Sequence, residues 1–103
     1  MAKKGFGGGA VDELAQGLGL LGNETRLTIV WHLARKEQNV GTLCKILKVN
    51  QPTMSHHLGL LRMGRLITGR RNGKQVFYSL NTERLKALRG ELAKYVPELV
   101  GGK

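Results

Sequence analysis

Apolar residues recur at the spacing of one helix face through the first half of the chain. Over residues 10–21 they follow 3-4-3 spacing, which predicts an amphipathic helix that Gly22 ends. Asn23 is placed to cap a second helix over residues 24–36, and this is the most apolar helix of the chain. Its broad apolar stripe predicts a central core helix. The stripe comprises Leu27, Ile29, Val30, Trp31, Leu33 and Ala34.

Two shorter helices follow, joined by a tight turn, over residues 40–48 and 51–64. Asn50 is a good N-cap for the second of them, and Pro52 is tolerated where a first-turn N–H has no partner anyway. One face of this helix is apolar and its polar residues point the other way. The apolar positions are Met54, Leu58 and Leu61. Such a pair predicts a helix-turn-helix whose second helix enters a DNA major groove.

After these helices the apolar residues recur at every second position, which is the spacing of a β-strand. Residues 66–71 and 74–80 are predicted strands, and Asn72-Gly73 between them is typical of a two-residue type I′ turn. Because basic residues flank the turn, the hairpin is interpreted as a wing whose arginines enter a minor groove or hold phosphates. A solvated turn with no DNA role is the alternative.

The last predicted helix is capped by Thr82 or Asn81 and is ended or kinked by Pro97. Its apolar residues form a heptad-like stripe. The core of a winged domain needs only some of these residues, so the others are left for another contact. With the first helix, this stripe predicts a homodimer surface, which suits the two-fold symmetry of operators. The residues predicted for this surface are Val11, Leu14, Leu18, Leu85, Leu88, Leu92, Tyr95 and Leu99. The alternative is that both stripes are consumed within one protomer.

The formal net charge of +10 is unevenly distributed, because no Asp or Glu lies between Glu37 and Glu83. The basic residues of this interval are Lys45, Lys48, Arg62, Arg65, Arg70, Arg71 and Lys74. A segment without acids and rich in bases predicts a polyanion partner, here double-stranded DNA. A chance gap in the acids is the bland alternative. An anionic membrane is a weaker competitor, since no wide apolar lipid-facing stripe accompanies the charge.

The length of 103 residues predicts one domain, over residues 10–99, between flexible tails at residues 1–9 and 100–103. The single cysteine, Cys44, excludes a disulfide framework or multi-thiolate site within one chain. The first residues lack the apolar region of a signal peptide, and no apolar run approaches the ~18 residues of a membrane span. We therefore expect a cytoplasmic protein with no membrane partner.

In combination these motifs resemble the ArsR/SmtB family of winged-helix repressors. The segments that show the resemblance are GNETRL at residues 22–27, QPTMSHHL at residues 51–58, and the hairpin with its two adjacent arginines. The resemblance covers about residues 10–96. It implies a mainly α fold with a β-hairpin wing (α+β): a winged helix-turn-helix of four helices, two strands and a fifth helix, dimerising through its first and last helices. One departure is Arg65, where the family usually has a glycine.

The resemblance also implies roles for individual residues. The expected base-edge readers are Gln51, Thr53, Ser55 and His56. The residues expected to contact the DNA backbone, directly or from the wing, are Lys45, Lys48, Arg62, Arg70, Arg71 and Lys74. His57 matches a family histidine that packs against the domain instead of touching DNA.

The usual metal sensors of the resembling family are missing. Where many members carry a Cys-x-Cys pair, this chain has Asn39 and Gly41, and residues 82–99 contain no histidine or aspartate. We therefore expect no metal site and no cofactor. Cys44 is either a small core hydrophobe or a redox-sensitive thiol beside Lys45. Redox chemistry, a small ligand, an unrecognised metal site or no effector all remain open as the signal.

The sequence therefore predicts a homodimeric, sequence-specific transcriptional repressor on a pseudo-palindromic operator. An architectural protein that coats DNA regardless of sequence is the alternative, and it leaves the polar recognition face without a purpose. An enzyme is not expected. Ser55, His56 and His57 are adjacent, but neighbouring side chains on a helix do not converge into a catalytic site.

Overall fold

A computed structural model describes residues 9–99. The predicted tails at residues 1–9 and 100–103 lie outside this range except for Gly9, which is the first residue of a helix. The described elements are α1 (Gly9–Leu21), α2 (Glu24–Leu33), β1 (Gln38–Asn39), α3 (Val40–Leu47), α4 (Gln51–Met63), β2 (Ile67–Asn72), β3 (Gln75–Leu80), α5 (Thr82–Tyr95) and a short 3-10 helix (Pro97–Leu99). The predicted mainly α fold with a hairpin wing is confirmed. Among the described helices, none is both long and apolar enough to cross a membrane.

Four helices begin at an asparagine whose side chain accepts a backbone N–H three residues ahead. The donors are Arg26, Thr42, Thr53 and Arg84, and the acceptors are Asn23 at 3.0 Å, Asn39 at 2.8 Å, Asn50 at 2.9 Å and Asn81 at 3.2 Å. Each cap satisfies a first-turn N–H that has no partner within its helix. The predicted caps of α2 and α4 are confirmed, and the cap of α5 is Asn81. The α3 cap was not predicted.

The core lies where α2, α3 and α4 meet the base of the hairpin. Its fully buried side chains are Ile29, Leu43, Met54, Leu58, Leu61, Leu66 and Ile67. The apolar face predicted for α4 is therefore confirmed, because all three of its residues are at most 1% exposed. This burial fixes the roll of α4 about its axis and leaves its polar side in solvent.

The predicted core face of α2 is partly wrong. Leu27 and Trp31 belong to the apolar stripe predicted to face the core, but each is 53% exposed. Ile29 and Leu33 instead face the core, and the helix ends at Leu33, not at residue 36. A helix that is apolar on most sides carries no local signal for which side packs inward, so the neighbouring elements decide the roll.

The hairpin belongs to a three-stranded antiparallel sheet of order β1-β3-β2. Strand β1 was not predicted, because residues 37–39 are all polar and show no strand pattern. The hairpin loop also differs from the prediction. Asn72 pairs with Gln75, so Gly73 and Lys74 form the loop. Gly73 has a φ of +68° and Lys74 does not have a positive φ, the pattern of a type II′ turn.

The end of α4 explains the departure at Arg65. The helix ends at Met63, and Arg65 adopts a φ of +63°, a conformation that favours glycine. A side chain at Gly64 would collide with Leu20 of α1, so close helix packing requires the glycine one position earlier. Asn81 supports the strained residue by donating its side-chain N–H to the Arg65 carbonyl at 2.8 Å.

Helices α1 and α5 pack closely through Gly17, where an added Cβ would lie 2.6 Å from a methyl group of the buried Leu88. We expect Gly17→Leu to lower the free energy of unfolding by about 1–3 kcal/mol through overpacking. The matched control is Gly19→Leu on the same helix, where nothing lies within 4 Å. It should be neutral or stabilising by up to ~1 kcal/mol, because leucine is the better helix former. Urea denaturation measures both, and equal effects would contradict the close packing.

Candidate nucleic-acid interface

The four predicted base readers share the solvent side of α4. Gln51, Thr53, Ser55 and His56 are all exposed. They occupy the first turn and a half of the helix, immediately after the Asn50 cap. A convex helix end that is polar, exposed and held rigidly by a buried opposite face has the shape and hydrogen-bonding groups that read base edges in a major groove.

The wing tip lies beside the beginning of α4. Gln51 and Lys74 line one surface depression of about 320 Å³, together with residues from β1, α3 and β3. The neighbouring side chains Asn39 and Gln75 hydrogen-bond at 3.3 Å across this junction. The tip and the recognition-type helix therefore form one continuous polar surface.

The two wing arginines point in opposite directions because Arg71 follows Arg70 along β2, and side chains alternate faces on a strand. Arg71 lines a depression of about 150 Å³ with Arg62, Gly69 and Val76. Both Arg62 and Arg71 are exposed, and no carboxylate in the described part of the chain holds either. Two arginines without a carboxylate partner thus line the same depression between the end of α4 and the wing.

Arg70 has a different environment, on the other face of the sheet. Its guanidinium donates from Nη2 to Glu37 Oε1 at 2.7 Å and from Nε to Oε2 at 3.2 Å. The hydrogen bonds and the positive charge of Arg70 hold the pKa of Glu37 below its ordinary value, and Glu37 in turn raises the pKa of Arg70. Of the arginines predicted to contact the DNA backbone, this one is already engaged.

The remaining predicted basic contacts, Lys45 and Lys48, are exposed at the end of α3. Lys48 is the C-cap of α3 and adopts the left-handed conformation, with a φ of 57°. It therefore begins the tight turn of the helix-turn-helix. The two lysines therefore lie on the α3 side of α4, in the segment that leads into it.

His57 is turned into the domain and does not join the exposed face of α4. Its Nδ1 lies 3.3 Å from Nη1 of Arg26, and Arg26 also donates from Nε to the Leu20 carbonyl at 2.7 Å. Because a guanidinium only donates, Nδ1 is the acceptor and the ring is neutral in this contact. Burial, and then the charges of Arg26 and His56, lower the pKa of His57 from its ordinary 6.5.

This lowered pKa makes the stability of the domain pH-dependent. The unfolded chain binds a proton at His57 more readily, so the stabilisation is present above pH ~6.5 and is lost as the pH falls through the folded-state pKa. We expect His57→Gln to reduce the decrease in urea midpoint between about pH 7 and pH 5. His56→Gln, which removes only the smallest of the three causes of this shift, should retain most of the wild-type decrease. A wild-type pH response in His57→Gln would contradict this origin.

The residues at the position of the family's Cys-x-Cys sensor do not suit a metal. Asn39 uses its Oδ1 to cap α3 and its Nδ2 to contact Gln75, and Gly41 has no side chain. Cys44 is partly buried and packs against the core. Within residues 9–99, no three His, Cys, Asp or Glu side chains group as metal ligands would. A metal-sensing step therefore has no support at this position.

Two residues that hold side chains of α4 and the wing in place were not predicted from the sequence. Arg26 links α2 to His57 of α4, and Glu37 reaches the wing from the residue before β1. Arg26 lies within the segment at residues 22–27 that resembles the family. The segment marked Arg26 as a residue of interest, but it did not indicate the contact with His57. Glu37 gave none, because its position depends on the unpredicted pairing of β1 with β3.

Comparison with protein families places this arrangement among known regulators. The family model described as "Bacterial regulatory protein, arsR family" matches residues 23–68. The HTH-type transcriptional regulator KmtR of Mycobacterium tuberculosis is 38% identical over 69 residues, covering 67% of this chain and 53% of that protein. The transcriptional repressor SmtB homolog of Synechocystis is 35% identical over 86 residues, covering 84% of this chain and 65% of that protein. The chain thus spans about half to two thirds of the length of these curated relatives.

A solved structure with a similar fold is that of HlyU from Vibrio cholerae. It superposes with a TM-score of 0.72 at 30% sequence identity, covering 92% of this chain and 97% of that chain. The likeness extends over nearly the whole of both chains, so it includes the wing and the terminal helices as well as the segment that the family model matches.

Proposed function

The chain belongs to the ArsR family of bacterial regulatory proteins, and from that premise we propose that it is a homodimeric repressor that binds a pseudo-palindromic operator. The family consists of DNA-binding transcriptional regulators, so the chain is a regulator of this kind and not an enzyme. The proposed partner is double-stranded DNA, which sets the proposed place of action in the cytoplasm.

The observation that carries this proposal is the division of α4 into two faces. Met54, Leu58 and Leu61 are buried and fix the helix, while the four predicted base readers are exposed on its other side. A DNA-coating protein needs only the basic residues around this helix, since non-specific affinity comes from phosphate contacts. An exposed amide, two hydroxyls and an imidazole on a rigid helix are useful for discriminating base edges.

The proposed dimer uses what remains exposed of α1 and α5. Leu14 and Leu88, which were predicted for the interface, are each only 4% exposed and lie in the protomer's own core. The alternative that the stripes are consumed within one protomer therefore holds for these two. The side chain of Leu99 lies outside the described set. The surface that supports the proposal consists of residues that are all partly exposed: Val11, Leu18, Leu85, Leu92 and Tyr95.

In the proposed complex, the two copies of α4 occupy successive major grooves about 34 Å apart. Each wing then lies beside the flanking minor groove, with Arg62 and Arg71 next to the phosphates between the grooves. Two-fold symmetry of the protein requires an inverted repeat in the operator.

Selection of binding sites from randomised duplex DNA tests this function. We expect enrichment of an inverted repeat with half-sites about one helical turn apart. Sedimentation of the complex should give two protomers per duplex. Tight binding without any enriched sequence would instead establish the architectural alternative, and absence of binding at about 50 mM salt would overturn DNA recognition altogether.

A further inference from the structure

The ion pair between Glu37 and Arg70 crosses the whole sheet. Glu37 immediately precedes β1, which lies on one edge, and Arg70 belongs to β2 on the other. Since Gln38 pairs with Tyr78, Glu37 sits beside Ser79 of the central strand β3. The carboxylate therefore extends over β3 to reach the arginine, and the contact joins residues 33 apart in the sequence.

The guanidinium of Arg70 is held on several sides. The Nε and Nη2 edge makes the paired contact with both carboxylate oxygens, at 3.2 Å and 2.7 Å. Ser79 Oγ donates to Glu37 Oε2 at 3.3 Å, and the Arg70 guanidinium carbon lies 5.2 Å from the ring centroid of Phe77. The Nε and Nη2 edge, one of the two edges through which a guanidinium makes a two-pronged contact with a phosphate, is thus filled by a carboxylate.

Resting on the proposed DNA binding, we propose that Glu37 is a positioning residue that acts through Arg70 and competes with the DNA backbone for its guanidinium. In the free protein the pair holds Arg70 against the sheet. On DNA a phosphate takes the Nε and Nη2 edge, and the Glu37 carboxylate returns to solvent. Glu37 therefore lowers the affinity for any duplex without touching a base.

The exposure of the pair makes this exchange feasible. The side chain of Arg70 is 55% exposed and that of Glu37 is 36% exposed. An ion pair in contact with water is weak, so another anion can replace the carboxylate. The salt dependence comes from counterions that leave the DNA when a cationic side chain neutralises a phosphate. An arginine that is partly held by a carboxylate neutralises a phosphate less completely, so it adds less to the salt dependence than a free one. Arg71, the next residue along β2, has no such carboxylate in the described chain and provides a matched comparison.

The test is a double-mutant cycle read by fluorescence anisotropy on a labelled duplex of unrelated sequence at several salt concentrations. Glu37→Gln should tighten binding by up to about fivefold, the most that an exposed pair provides, and should steepen the salt slope by up to ~0.9. In the Arg70→Ala background, Glu37→Gln should change neither quantity. In the Arg71→Ala background, the full gain should remain.

Three results would overturn the proposal. A gain that persists with Arg70→Ala means that Glu37 repels DNA directly, and a loss of affinity in Glu37→Gln means that the carboxylate orients Arg70 for binding. No change in any background means that the pair is not coupled to DNA. These failures all occur with a wild-type protein that binds DNA, whereas failure of the wild type to bind overturns the proposed function itself. Circular dichroism melts of each variant confirm that the fold is retained.

Discussion

Replacement of both Arg62 and Arg71 by alanine is expected to weaken binding to every DNA sequence and to lower the salt slope by about 2. Each guanidinium is exposed, lacks a carboxylate partner among the described residues, and lines the same depression between α4 and the wing. At about 0.1 M salt, loss of one phosphate contact costs on the order of tenfold in affinity, because one fewer counterion is released. Titrations on operator and random duplexes at several salt concentrations measure both effects.

The matched variant for this prediction is Arg70→Ala, which removes an arginine from the same wing. Its effect should be smaller than that of Arg71→Ala, because Arg70 first has to leave Glu37. A larger loss for Arg70→Ala would show that the ion pair presents this arginine to DNA. A loss confined to one operator sequence would contradict the assignment of Arg62 and Arg71 to the sequence-independent backbone.

The second large effect is expected from Gln51→Ala and Ser55→Ala. Each should lower the discrimination between operator and random DNA by about 1–3 kcal/mol, at the base pair that the side chain contacts. Discrimination here is the ratio of dissociation constants for random and operator duplexes. Gln51 presents an amide that pairs with adenine, and Ser55 lies one turn further along the same exposed face. Affinity for random DNA should hardly change, since neither side chain is charged.

Gln16→Ala on the exposed side of α1 is the matched control, because it removes the same amide from a helix that is not proposed to read DNA. It should leave the operator preference at the wild-type value. Equal losses on operator and random DNA in Gln51→Ala or Ser55→Ala would contradict the base-reading role and favour a phosphate contact instead.

The wing is less uniformly basic than its sequence indicates. The interval without acids ends at Glu37 on one side, and the fold returns this acid to the hairpin. Of the two adjacent wing arginines, Arg70 is held by Glu37, whereas Arg71 has no carboxylate partner among the described residues. The two positions are equivalent in the sequence and differ only because strand alternation turns them to opposite faces.

The sequence by itself determined the features whose cause is local. Asn23 and Asn50 begin helices because their side chains satisfy N–H groups three residues away, and Pro97 follows the end of α5. The apolar face of α4 could be predicted because its three buried residues recur at helix spacing with polar residues between them. With the family-like motifs, these features were sufficient for the fold class.

Only the tertiary structure decided the features that depend on distant partners. The roll of α2, which leaves Trp31 exposed, is set by the helices packed around it. The approach of Leu20 excludes a side chain at Gly64, so the positive φ falls on Arg65 instead of on a glycine. The Glu37 contact depends on the register of a two-residue strand. Periodicity shows which residues share a face of one element, but the partner of that face comes from other parts of the chain. For that reason the exposed polar face of α4 was evident in the sequence, while the contact between Glu37 and Arg70 was not.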